Sequence, residues 1–207
     1  MSDDHDHPHH PEHHLASTYH EKLTAAVIEL LAEKRVLSPA QITESIDIMD
    51  ARGPSLGAKV VARAWVDPEF KKRLLADGSK ACKELGIDVG SLKLVVVENT
   101  PQAHNVIVCT LCSCYPKMLL GIPPAWYKTK AYRSRTAREP RKVLREFGLE
   151  VDDKVAVRVH DSTADMRYLV LPMRPAATEG WSEEKLAELV TRDAMIGVAQ
   201  ANEPIAV

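Results

Sequence analysis

The chain has 207 residues, with 27 Lys and Arg against 29 Asp and Glu and a net charge of −2 when histidines are neutral. That length carries one domain with a real core plus extensions. The near-neutral balance gives no reason to expect a nucleic-acid partner. No apolar run approaches the ~20 residues of a membrane helix, and the acidic, His-rich start lacks the apolar core of a signal peptide. The expectation is a cytoplasmic protein with no membrane and no nucleic acid among its partners.

Residues 1–14 hold six of the nine histidines and almost no apolar side chain, so 1–17 is expected to be a disordered tail. Such a tail either gathers metal for a site elsewhere or binds it incidentally. Thr18 is placed to cap a helix running to about Arg35, with Leu23, Ala26, Val27, Leu30 and Leu31 at helical spacing. Ser38-Pro39-Ala40-Gln41 reads as a capping box, followed by a stripe of Ile42, Ile46 and Met49 that Gly53-Pro54 stops. Residues 18–53 thus form two helices with apolar faces and few partners nearby in sequence. A helix over 55–66 buries Leu56, Val60, Val61, Ala64 and Trp65, and Asp67-Pro68-Glu69 starts the next. Asp77-Gly78 breaks that helix, and a shorter one ends at Gly86; Cys82 falls on it and reads as core filling.

From Leu92 the period changes. Residues 92–98 and 104–109 read as strands around the turn Asn99-Thr100-Pro101. Trp126, Tyr127, Tyr132, Arg133 and Arg135 fall in a helical or irregular stretch and read as a contact with another subunit. Glu139-Pro140 opens a helix that Gly148 ends. Residues 155–159 and 166–171 read as a second strand pair joined by Asp161-Ser162-Thr163-Ala164-Asp165. Ser182 caps a helix through Val190, and residues 191–198 close the domain. The order of elements reads as α+β, with helices layered on small, mostly antiparallel sheets.

The second strand runs into Val108-Cys109-Thr110-Leu111-Cys112-Ser113-Cys114, which holds three of the four cysteines. If the thiolates of Cys112 and Cys114 bind one metal, the peptide nitrogens of Ser113 and Cys114 lie between them and complete a planar N2S2 set. Cys109 then supplies a fifth, axial sulfur, and a sixth position stays open. Two amidates and three thiolates suit a trivalent ion such as cobalt or iron better than zinc, which prefers tetrahedral S and N ligands. The zinc alternative takes His104 as fourth ligand, but C-x-C crowds a tetrahedron and a second C-x2-C pair is missing. His104 otherwise reads as a general base or as a hydrogen-bonding residue at a strand start. Cysteines this close cannot staple a fold.

The claw sequence resembles that of nitrile hydratase α subunits. The resemblance spans nearly the whole chain after about residue 20. It includes Gly57-Ala58-Lys59-Val60-Val61, Ala64-Trp65-Val66-Asp67-Pro68-Glu69-Phe70, Val97-Glu98-Asn99-Thr100, Pro123-Pro124-Ala125-Trp126-Tyr127, Arg138-Glu139-Pro140-Arg141 and Val190-Thr191-Arg192-Asp193. The γ subunit of thiocyanate hydrolase is similar to the same family and is the alternative, with a metal carrier as a third reading. The resemblance implies a four-layered α-β-β-α core over residues 54–207, and it makes 18–53 a helical arm contacting a β subunit in a heterodimer or α2β2 assembly. It further implies one low-spin trivalent ion, Co(III) or Fe(III), held by Cys109, Cys112, Ser113 and Cys114. Cys112 is then expected as sulfinate and Cys114 as sulfenate, with two β-subunit arginines holding their oxygens. Catalysis falls to Cys112, Ser113 and Cys114 acting on a small nitrile, the chain is inactive without its β subunit, and an activator or metallochaperone delivers the metal. Thr110 and Tyr115 match the cobalt pattern of the family.

Two stretches depart from that pattern. Lys117-Met118 stands where the family has Trp-Pro, a wall of the substrate pocket, and Asp88-Val89-Gly90-Ser91 replaces Leu-Gln-Gly-Glu. Lys117 either turns to solvent while Met118 fills the gap, or adds a positive charge that favours anionic or polar substrates.

Overall fold

A computed structural model describes residues 18–50 and 52–204. The expected tail over 1–17 lies outside these residues. The chain divides into two compact units, one ending at Ile48 and the other beginning at Met49.

The first unit consists of α1 (Tyr19–Glu33) and α2 (Pro39–Asp50, whose last residues enter the second unit). A full capping box starts α1: the Thr18 hydroxyl accepts from Glu21 N–H while the Glu21 carboxylate accepts from Thr18 N–H. Ser38 and Gln41 exchange the same pair of bonds ahead of α2. Although α1 carries apolar residues at helical spacing, it buries none of them within this chain. Leu23, Val27, Ile28 and Leu30 of α1 and Ile46 and Ile48 of α2 are exposed.

The second unit opens with α3 (Pro54–Val66), α4 (Pro68–Ala76) and α5 (Gly78–Glu84). Proline occupies the first turn of α3 and α4, where its missing N–H costs nothing. Asp67 caps α4 by accepting from the N–H groups of Glu69 and Phe70, and Asp77 caps α5 by accepting from Lys80 N–H. Strands β1 (Lys93–Glu98) and β2 (Ala103–Val108) follow, then α6 (Lys117–Leu120), a 3₁₀ turn (Ala125–Lys128), α7 (Lys130–Arg138) and α8 (Pro140–Glu146). Strands β3 (Ala156–Asp161) and β4 (Met166–Leu171) precede α9 (Glu183–Ala187) and α10 (Arg192–Ile196). The helix expected from Ser182 through Val190 is therefore short, and Thr191 caps a separate helix by accepting from Ala194 N–H.

The α+β class holds, but the strands are not hairpins. β1 pairs in parallel with β4, from Lys93↔Met166 to Glu98↔Leu171, and β2 pairs in parallel with β3, from Ala103↔Ala156 to Val108↔Asp161. The expected antiparallel sheets are replaced by two parallel two-stranded ones. The turn between β1 and β2 is short enough for a hairpin, yet it carries the chain from one sheet to the other. Each strand finds its mate across the intervening helices, as parallel pairing requires. The sheets lie against each other, with α4 and α5 on β1 and α7 and α8 on the other sheet, which makes the α-β-β-α layering.

All six residues of β2 are buried. Val106, Ile107 and Val108 are shielded by Leu169, Val170, Met195 and Ile196, all in one apolar core. Each such side chain contributes roughly 1.5–3 kcal/mol on leaving water. Cys82 is fully buried in the same core, as expected, and burial pushes its thiol up to about 12.

A polar chain crosses between the sheets. His104 Nε2 lies 2.7 Å from the Gly197 carbonyl oxygen, to which it donates, and its Nδ1 lies 3.3 Å from Asn99 Nδ2. Asn105 donates to Asn99 Oδ1 through both its backbone and side-chain nitrogens, and His160 Nε2 lies 2.8 Å from Asn105 Oδ1. Burial lowers the pKa of both histidines and so favours their neutral forms. In the unfolded chain a histidine takes its proton near pH 6.5. The unfolded state therefore binds protons first, and stability falls as pH drops below about 6.5 and on through the depressed folded-state values. Thermal unfolding between about pH 8 and 5 should show this decline well above the carboxylate range, and His104→Gln should flatten it. A melting temperature constant across that window would refute the assignment.

Candidate metal centre

β2 ends at Val108, and the chain leaves the buried strand directly into the cysteine loop. Cys109 Sγ lies 3.3 Å from Cys112 Sγ, and Cys112 Sγ lies 3.1 Å from Cys114 Sγ. All three sulfurs fall within 4.8 Å of one another. With metal–sulfur bonds of about 2.3 Å, tetrahedral corners stand about 3.8 Å apart, whereas octahedral neighbours stand about 3.2 Å apart. The Cys109–Cys112 and Cys112–Cys114 separations match the octahedral edge better than the tetrahedral one. His104 is not free to be a fourth zinc ligand, because both its ring nitrogens are engaged in the buried polar chain.

The sulfurs differ in setting: Cys109 is buried, Cys112 exposed and Cys114 intermediate. Cys109 thus faces the loop from the protein side. Hydrogen bonds from the Cys114 thiol and then the Cys109 thiol hold Cys112 down to about 7. The backbone N–H groups of Cys114 and Ser113 also face the Cys112 sulfur and favour its thiolate. Partial burial, followed by the neighbouring Cys112 thiol, pushes Cys114 up to about 12. Ionising all three sulfurs this close together requires a cation in their midst. The donor set therefore fits a multivalent metal ion, and among the described residues it is the one cluster of at least three His, Cys, Asp or Glu side chains arranged to hold one.

The loop backbone is gripped from three elements. Asp161, the last residue of β3, sits beside Val108 in the parallel register. Its carboxylate accepts from Thr110 N–H at 2.9 Å and from the Thr110 hydroxyl at 2.5 Å. Arg133 of α7 donates through Nη1 to the Cys112 carbonyl at 2.8 Å and reaches the Thr110 carbonyl at 3.5 Å. Tyr127 Oη donates to the Cys114 carbonyl at 2.9 Å. Behind the loop, Trp126 packs edge-on against Tyr132 and Phe147 with ring centres 4.9 and 4.7 Å apart, and Tyr115 packs edge-on against Tyr127 at 5.0 Å.

These contacts correct the expectation of a subunit contact at Tyr127, Tyr132 and Arg133. Tyr127 and Tyr132 are buried, and Tyr127 and Arg133 turn inward to the loop. Arg135 is tied to Glu139 and Glu146 on the domain's own surface. Asp161 was assigned to a connection. Its one signal in the sequence is a polar residue at the end of a strand, too common to single it out.

Lys117 and Met118 open α6 directly after the loop. Lys117 is exposed, whereas Met118 is half-buried, packs on the core and accepts from Arg52 Nη1 through Sδ at 3.2 Å. Met118 lines a small cavity with Val89, Leu94, Tyr115 and Leu119, so Val89 of the divergent 88–91 stretch and Met118 meet there. The apex of the loop projects outward, with Leu111 88% exposed and Cys112 and Ser113 open beside it.

Comparison with known proteins agrees with this geometry. The family described as nitrile hydratase, alpha chain, matches residues 18–199. The cobalt-containing nitrile hydratase subunit alpha of Pseudonocardia thermophila is 55% identical over 181 residues, covering 85% of this chain and 88% of its own. A recombinant thiocyanate hydrolase comprising partially modified cobalt centres aligns with a TM-score of 0.86 at 42% identity, covering 92% of this chain and 93% of the other. A double mutant of the Fe-type nitrile hydratase of Comamonas testosteroni Ni1 aligns with a TM-score of 0.83 at 43% identity, over 91% and 93% of the two chains.

Proposed function

This chain belongs to the nitrile hydratase α-chain family, and from that premise we propose how its loop hydrates nitriles to amides. The carrying observation is the convergence of three sulfurs on one strand-mounted loop, with two of their separations at an octahedral edge. Cys109, Cys112 and Cys114 supply the sulfurs, and the main-chain nitrogens of Ser113 and Cys114 complete the ligand set. A bound trivalent ion would supply Lewis acidity to a small ligand. In the net reaction the oxygen of one water bonds to the nitrile carbon, and both its hydrogens end on nitrogen, giving R–CO–NH2 from R–C≡N. Cys109 closes the buried side of the site while Cys112 and Cys114 face outward, so the substrate arrives from the exposed face.

Cobalt is favoured over iron. Thr110 and Tyr115 follow the cobalt pattern, and the Pseudonocardia relative is described as cobalt-containing. The metal ligands also carry the catalytic roles, with Cys112 as sulfinate and Cys114 as sulfenate. Lys117 and Met118 belong to the pocket wall. A β subunit covers the exposed apex at Leu111, Cys112 and Ser113, and the uncovered apolar faces of α1 and α2 form an arm that docks on it in an αβ or α2β2 assembly. An activator or metallochaperone assists loading.

Thiocyanate hydrolysis is the second reading, favoured by the exposed Lys117 beside the loop and by the thiocyanate hydrolase neighbour. The higher identity to a nitrile hydratase α subunit supports the first. The copurified complex should contain cobalt and release amide from a nitrile, not carbonyl sulfide from thiocyanate. Mass spectrometry of the loop peptide should show sulfinate at Cys112 and sulfenate at Cys114. Unmodified cysteines together with readily exchanged metal would mark a carrier instead.

A further inference from the structure

The hydrogen bonds that grip the loop are not equivalent. A carbonyl oxygen and the nitrogen of the next residue form one conjugated amide. The Cys112 oxygen, bonded by Arg133 Nη1 at 2.8 Å, therefore belongs to the peptide whose nitrogen is that of Ser113. The Cys114 oxygen, bonded by Tyr127 Oη at 2.9 Å, belongs to the peptide of Tyr115 nitrogen, which is no ligand in the reading above. A peptide nitrogen that binds a metal in place of its hydrogen leaves an anionic amide, and resonance carries much of that charge to the oxygen. The displaced proton leaves to solvent. Arg133 Nη1 also reaches the Thr110 oxygen, which belongs to the Leu111 peptide, at 3.5 Å, but its short bond is to the oxygen that gains charge.

Among the described residues, Arg133 forms no ion pair, while Arg135 on the same helix is tied to Glu139 and Glu146. Arg133 Nε is also buried with no acceptor. A cation held partly out of water without a counter-charge is unfavourable until an anion forms beside it. We infer that Arg133 is a positioning residue for the metal centre, whose guanidinium stabilises the charge on the Cys112–Ser113 peptide once Ser113 nitrogen is a ligand. The inference rests on the proposed ligand set and adds to it a residue that touches no metal.

The test uses the complex with its partner subunit, produced without cobalt and then reloaded with a cobalt salt. In Arg133→Met, cobalt uptake should slow by about tenfold, the factor expected from one charge-assisted hydrogen bond. The sulfur-to-cobalt charge-transfer band, read per bound cobalt, should also shift, because the amide donor has lost its cation. Arg133→Gln should follow Arg133→Met, and Arg133→Lys should restore most of the rate and the band position. Tyr127→Phe should leave the band in place. If Arg133→Met fails to assemble, the contrast between Arg133→Gln and Arg133→Lys carries the same test. An unshifted band in Arg133→Gln, or an equal shift in Tyr127→Phe, overturns the role of Arg133. A wild-type complex whose bound cobalt makes no contact with the loop would instead overturn the ligand set itself.

Discussion

Cys114→Ala is expected to abolish nitrile hydration, lowering kcat/KM by at least about 10³-fold, beyond the 10–100-fold usual for loss of an outer-shell partner. Cys114 contributes both a sulfur and a main-chain nitrogen to the proposed set, and its sulfur stands 3.1 Å from that of Cys112. Losing the thiol opens the plane on the outward side and leaves Cys112 and Cys109 as a pair that holds a metal loosely. Cobalt content of the purified complex should fall in step with activity, and the fold should survive because the Cys114 side chain is only partly buried. Cys82→Ala is the control. That thiol is fully buried in the core, and its removal should cost about 1 kcal/mol of stability with metal content and activity intact. Full cobalt occupancy with retained turnover in Cys114→Ala would remove the loop from the chemistry.

Gly197→Ala is expected to destroy the fold, although the residue touches no ligand. Gly197 adopts φ +90°, a conformation that L side chains rarely take. A Cβ there would lie 2.0 Å from the Asn105 carbonyl oxygen and 2.9 Å from Val106 Cα. Both atoms belong to the backbone in the middle of β2, so no side chain can rotate away. The clash pushes on the strand that carries Cys109, and it displaces the Gly197 carbonyl that accepts from His104. A loss above about 4 kcal/mol is expected, in the range reserved for core disruption. Gly86→Ala is the contrast: it shares a positive φ of 72° but meets nothing within 4 Å, so backbone strain alone should cost about 1–2 kcal/mol. Thermal melts of the two variant complexes decide the matter. Gly197→Ala melting within a few degrees of wild type would contradict the close approach.

Helix starts were legible because capping is local chemistry. Thr18, Ser38, Asp67 and Ser182 each accept from an N–H three residues on, and no distant contact is needed to predict that. Strand spans were legible from the apolar run of β2 and the β-branched run of β1. Strand pairing was not. Lys93 and Met166, or Val108 and Asp161, carry no signal of each other; packing of the intervening helices sets which strands meet. The same division holds at the site. The C-x2-C-x-C spacing is a local chelate and announces itself. Asp161 and Arg133 act across 51 and 21 residues of chain, and read singly they are an acidic strand end and one arginine in a basic helix.

The parallel pairing has a consequence for how the protein is made. Thr110 leaves the ribosome 51 residues before Asp161, the group that fixes it, and neither strand of the first sheet can find its mate until β4 has emerged. For that interval the nascent chain already displays all three thiols of the loop with no mount beneath them. The metal centre is thus a late product of translation, and oxidants or competing ions encountered beforehand meet a segment that has no shape with which to select among them.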